Sequence, residues 1–190
     1  MVVYLSVTSF VASIVASVFA GYIAYKNYIE KARIVIYTGG RMTLVSSSKD
    51  QLGRIHLDCS IANRGAKLGL INGVVLTIHS PPLDEQIQLS WHSFHRYEGE
   101  DEPVFEENTH SIMVKGKDSV FKRIEFLTEQ PIQWKVGNYK FELSAWFNER
   151  DISSLPNFQS IFFADLNQKM VRDLSKRNST SQYFPVPIVH

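Results

Sequence analysis

The chain has 190 residues, with 20 basic against 19 acidic side chains, a balance that excludes an electrostatic case for nucleic acid. Aromatic residues make up 12%, more than a disordered chain carries, so a packed core is expected. The single cysteine, Cys59, excludes an intramolecular disulfide and points to a reducing compartment.

Val2 to Tyr25 contains no charged side chain. As a helix it would extend about 36 Å, slightly more than the hydrocarbon core of a bilayer. Tyr4 lies near one end, and Tyr22, Tyr25 and Tyr28 near the other, where aromatic rings favour the headgroup layer. A cleaved signal peptide fits less well, because the apolar run exceeds the usual h-region and no basic n-region precedes it. The pattern therefore predicts a single transmembrane helix that remains attached. Lys26, Lys31, Arg33 and Arg41 follow it against Glu30 alone. The positive-inside rule then puts the N-terminus outside and the soluble domain in the cytoplasm. The sequon Asn178-Ser179-Thr180 points the other way, since it has meaning only in a secretory lumen.

Within this segment, Ser9, Ser13, Ser17 and Gly21 recur every four residues, and so do Ala12, Ala16, Ala20 and Ala24. At 100° per residue the two rows are adjacent and form one face of small side chains. Val7, Val11, Ile14, Val15, Val18, Phe19 and Tyr22 fall mostly on the other. Small residues let helix backbones approach, and serine hydroxyls can bond across the contact. The expected partners are lipid and a second membrane helix, from another copy or another protein.

After Lys31 the apolar period changes from helical to two. Ala32 to Tyr37 predicts a first strand and Met42 to Val45 a weaker one. Arg54 to Ala62 alternates cleanly: Ile55, Leu57, Cys59 and Ile61 point one way, and Arg54, His56, Asp58 and Ser60 the other. Leu70 to His79 is a strand stopped by Pro81-Pro82. Gln86 to Trp91 alternates with Ile87, Leu89 and Trp91 inward. An acidic loop is expected from Glu98 to Glu107. Ser111 to Val114, Val120 to Leu127, Asn138 to Phe147 and Phe158 to Ala164 complete the strands. Asp165 to Lys176 reads as a short helix capped by Asp165.

This spacing of strands and turns predicts an antiparallel sandwich. The stretch Val136-Gly137-Asn138-Tyr139-Lys140-Phe141-Glu142-Leu143 resembles the Gly-x-Tyr entry to a late strand of immunoglobulin-like domains. That resemblance implies that the tyrosine hydroxyl ties down a corner. Asn63-Arg64-Gly65 is similar to turns in membrane-anchored sandwiches of the same kind. The expected fold is thus mainly β: a transmembrane helix and juxtamembrane segment (1–31), an immunoglobulin-like sandwich (32–176), and an extended tail (177–190).

Candidate chemistry is sparse. His92 and His95 are three apart, so on a straight strand they face opposite sides and make a poor metal pair. The carboxylates Glu98, Glu100, Asp101, Glu102, Glu106 and Glu107 match no EF-hand spacing and read as a solvated loop. His56, Asp58 and Ser60 share a face but stand about 7 Å apart along a strand, beyond triad geometry. Cys59 reads as core. Gly39-Gly40 lacks the context of a phosphate loop. The apolar tail Tyr183, Phe184, Pro185 and Pro187 is a candidate partner contact. The expectation is a membrane-anchored binding or structural module with no catalytic residues, metal or cofactor. The alternative is a membrane-tethered sensor or accessory regulator.

Overall fold

The computed structural model describes residues 2–46, 53–79, 86–98, 102–129, 132–148, 152–175 and 181–184. Helix α1 spans Val2–Ala24 and passes into a π-helical turn, Tyr25–Ile29, ending at Glu30. Among the described residues ten strands follow: β1 (Ile34–Ser46), β2 (Gly53–Asn63), β3 (Gly69–His79), β4 (Gln86–Glu98), β5 (Glu102–Asn108), β6 (Ile112–Val114), β7 (Ser119–Leu127), β8 (Gly137–Phe147), β9 (Phe158–Leu166) and β10 (Ser181–Phe184). A short helix, α2 (Gln168–Leu174), precedes β10.

All strand pairings are antiparallel, in the order β10-β1-β2-β7-β4-β3-β8-β9, with β5 beside β4 and β6 beside β3. The first half of β4 pairs with β3 and its second half with β7, which curls the sheet into a nearly barrel-like body. The inward positions read from alternation are the core: Ile55, Leu57, Cys59 and Ile61 are fully buried, as are Leu89, Phe94, Phe126, Phe141 and Phe162. Phe141 and Phe162 stack with centroids 5.3 Å apart. Burying each such side chain contributes roughly 1.5–3 kcal/mol.

Two polar groups stitch the corners. The Tyr139 hydroxyl accepts from Lys135 N at 2.8 Å and donates to Lys135 O at 3.0 Å, so this tyrosine does tie down its corner. Buried Asn63 accepts from Arg33 N and Gly65 N, and donates to Lys67 O and Val114 O. Its amide thereby holds three segments together at the end of the body that receives α1. Gly65 is required there, because an added Cβ would lie 1.9 Å from Lys31 O.

Three expectations are revised. The first two predicted strands are one, β1, with a register shift between Thr38 and Met42 that contains Gly39 and Gly40. The expected acidic loop is largely β5, because Glu102–Asn108 pairs with β4 as a hairpin. The cap of α2 is Asn167, whose side chain accepts from Met170 N, while Asp165 belongs to β9. Within the extended tail, residues 181–184 form a further strand that joins the sheet through β1, with Phe184 opposite Met42. Pro81-Pro82, Glu100, Asp101, the Asn178-Ser179-Thr180 sequon, Pro185 and Pro187 lie outside the described residues.

Candidate functional site

The face of β2 opposite the core is where expectation and structure part. Alternation puts His56, Asp58 and Ser60 on that polar face, too far apart along one strand for a triad. His56 is only 5% exposed and Asp58 8%. Register explains the crowding. His56 lies opposite Glu125 of β7, and Glu125 opposite Ser93 of β4. One row along, Asp58 lies opposite Arg123, and Arg123 opposite His95. Paired residues on one face of a sheet have Cβ atoms about 4.5–5.5 Å apart, so six polar side chains are forced into contact.

His95 reaches this face because β4 shifts register between Trp91 and Ser93. Up to Trp91, odd-numbered residues face the core. His92 is the extra residue, and beyond it the faces exchange: Phe94 turns into the core while Ser93 and His95 turn to the polar side. His92 is left exposed. The His92/His95 pairing is therefore absent, and His95 meets His56 instead, with ring centroids 4.6 Å apart.

Glu125 is the hub. Ser93 Oγ donates to its Oε2 at 2.5 Å. His56 Nε2 lies 3.5 Å from Oε1 and His95 Nε2 lies 3.4 Å from Oε2. Arg54 Nη1 stands 3.4 Å from Oε1. Burial alone would raise the pKa of Glu125; interaction with His56, His95 and Ser93 outweighs it and holds the carboxyl well below the usual range. For His56 burial dominates, and it lowers the imidazole pKa despite the facing carboxylate. A neutral His56 beside an ionised Glu125 is the resulting charge state near pH 7.

Beside this hub, Arg123 Nε donates to Asp58 Oδ1 at 2.6 Å, a buried ion pair. Gly39 lets β1 approach Asp58, since a Cβ there would come within 2.8 Å of the Asp58 Cβ. Phe105 of β5 lies edge-on to His95, centroids 6.2 Å apart, and covers part of the cluster. Ser60 is not part of it; it lies opposite Tyr37 and Phe121 further along β2. Cys59 is buried in the core, where burial pushes its thiol pKa up, away from nucleophilic use.

Among the described residues, one helical stretch is long and apolar enough to cross a membrane, Phe10–Ile29, running from α1 through the π-helical turn, and the body covers none of it. Ala12, Ser13, Ala16, Ser17, Ala20, Gly21 and Ala24 are exposed along it, as are Val11, Ile14, Val15, Val18 and Phe19; Ser9 belongs to the same helix. Ser17 Oγ donates to Ser13 O at 2.9 Å, so this hydroxyl is satisfied within its own helix. The helix end is bonded to the body: Ala66 N and Lys67 N donate to Glu30 O, and Lys26 and Lys117 both pair with the Glu30 carboxylate.

No protein-family model and no curated protein matches the sequence. A crystal structure of a Bordetella pertussis protein described as ApaA is similar at 8% identity, with a TM-score of 0.35, over 75% of this chain and 98% of that one.

Proposed function

We propose that the chain is a single-pass membrane protein whose N-terminal helix tethers an immunoglobulin-like β-sandwich, and that it serves as a binding or structural subunit of a membrane-associated assembly. The observation that carries this reading is α1 itself: uncharged along its length, and exposed on every side from Phe10 to Ala24. In water that surface would be an aggregation hazard; in lipid it is an anchor. Its small face suits a second helix, and a Cβ added at Gly21 would meet nothing within 4 Å. Tyr183 and Phe184, on an edge strand, are proposed as a contact for that assembly.

A cytoplasmic body is supported by charge at the helix end. Lys26, Lys31 and Arg33 are joined there by Arg64, Lys67 and Lys117, which the chain brings beside Glu30. Such a cluster favours anionic headgroups of the inner leaflet.

The test is extraction of membranes at alkaline pH, followed by protease protection. Retention of the full chain in the pellet, with the body digested only from the cytoplasmic side, is expected. A soluble mature chain starting near residue 25 would overturn the reading. Ser13→Leu and Ala16→Leu should then abolish crosslinking to the partner helix.

A second reading, a membrane-tethered sensor or accessory regulator, is favoured by the buried hub around Glu125. Polar clusters of this kind inside a β body are where a ligand or ion would be read.

A further inference from the structure

We propose that His56, His95 and Glu125 form a binding site for a divalent first-row transition cation of the zinc class. The three residues come from three adjacent strands, β2, β4 and β7, so the sheet itself sets their spacing. One donor atom from each lies within 4.8 Å of the others. The two imidazole-to-carboxylate separations, 3.5 Å and 3.4 Å, are long for hydrogen bonds between nitrogen and oxygen. Each imidazole meets its own oxygen of the carboxylate, at close to the roughly 3.4 Å that separates donors at about 2.1 Å in a tetrahedral array.

Hydrogen bonding also leaves the imidazoles incomplete. Nδ1 of His56 and of His95 is buried and without a partner among the described residues. An unmet buried ring nitrogen costs roughly 1–3 kcal/mol; the two rings stand on the strands that flank β7, and because one ion takes only one nitrogen of each ring, the site rests on the Nε2 separations above. Two imidazoles and one carboxylate are a ligand set of zinc and of other borderline divalent ions, with a position left for water or a weak oxygen donor. Ser93 Oγ, 2.8 Å from His95 Nε2 and bonded to Glu125, is a neutral oxygen beside both.

Arg54 decides how tightly the site holds. Its guanidinium occupies the Glu125 carboxylate at 3.4 Å and repels an incoming cation. The side chain is one-third exposed, so it can swing into solvent when the ion enters. A merely structural cluster and a metal site therefore respond to Arg54 in opposite ways. Removing this arginine should loosen a structural cluster and strengthen metal binding.

The experiment uses the full chain in mild detergent, free of histidine tags, stripped with chelator and titrated with zinc and with cobalt(II). Expected are about one ion per chain, a visible cobalt spectrum of four-coordinate nitrogen and oxygen ligation, and a rise in thermal midpoint with zinc. His95→Ala and Glu125→Gln should each weaken binding at least tenfold, with His92→Ala and His110→Ala unaffected. Arg54→Gln should bind severalfold tighter. Should a ligand variant fail to fold, the wild-type cobalt spectrum and the Arg54→Gln titration still decide. Zinc binding that survives His95→Ala and Glu125→Gln, that falls in Arg54→Gln, or that is absent from the wild-type chain overturns the proposal.

Discussion

Arg123 and Asp58 form an ion pair between β7 and β2 in which Arg123 is 2% exposed and donates Nε to Oδ1 at 2.6 Å. Two buried opposite charges nearly cancel in their net contribution, but one alone is expensive. Asp58→Leu takes this partner from the guanidinium, and Arg123→Met takes it from the carboxylate; each should destabilise the chain by about 3–5 kcal/mol. The double variant Asp58→Leu/Arg123→Met, which removes both charges, should recover most of that loss. Denaturant unfolding of the four chains of this cycle checks it, and equal losses in the single and double variants would contradict it.

The corner at Tyr139 gives a second prediction. Its hydroxyl serves both backbone groups of Lys135 from a fully buried ring. Tyr139→Phe keeps the ring and removes two hydrogen bonds, and should cost about 1–3 kcal/mol. Tyr139→Ala also opens a cavity among Trp134 and Phe141, and should cost about 3–5 kcal/mol or prevent folding. Thermal unfolding should rank the three proteins in that order.

Glycines at the helix end and in the β1 bulge should respond unequally. Gly65→Ala drives a methyl into Lys31 O, a backbone atom that cannot step aside, and should cost about 2–3 kcal/mol or more. Gly40→Ala meets nothing within 4 Å and should fall within about 0.5 kcal/mol of the parent. Comparable thermal midpoints for the two variants would contradict the close approach of the helix end to the Asn63 turn.

The helix-to-body junction should depend on pH. Lys26 and, after it, Lys117 hold the Glu30 carboxyl below its ordinary value of 4.5. A lowered carboxylate pKa means that the folded state binds fewer protons than the unfolded one in the window below 4.5. Its contribution is present above that value and is lost as pH falls through the folded pKa. Hydrogen exchange at Ala66 and Lys67, whose amides donate to Glu30 O, should therefore quicken on acidification relative to β2 amides. In Glu30→Gln the acid-dependent part of the difference should vanish.

Much of this protein is local and can be read along the chain. The uncharged run from Val2 to Tyr25 specifies an apolar helix whatever follows it. Strict alternation from Ile55 to Ile61 places those side chains in the core, because period two permits only two faces. Gly137-Asn138-Tyr139 marks the corner that its hydroxyl ties down. The cluster at Glu125 was legible in neither its membership nor its burial. Its members are 65 residues apart in the case of Asp58 and Arg123, and only strand register unites them. Its second histidine depends on one extra residue at His92, which exchanges the faces of β4 and sends His95 toward His56 instead of toward the core. Pattern along a chain determines which side chains can be buried together; pairing between strands, and a single-residue slip within it, decides which ones meet.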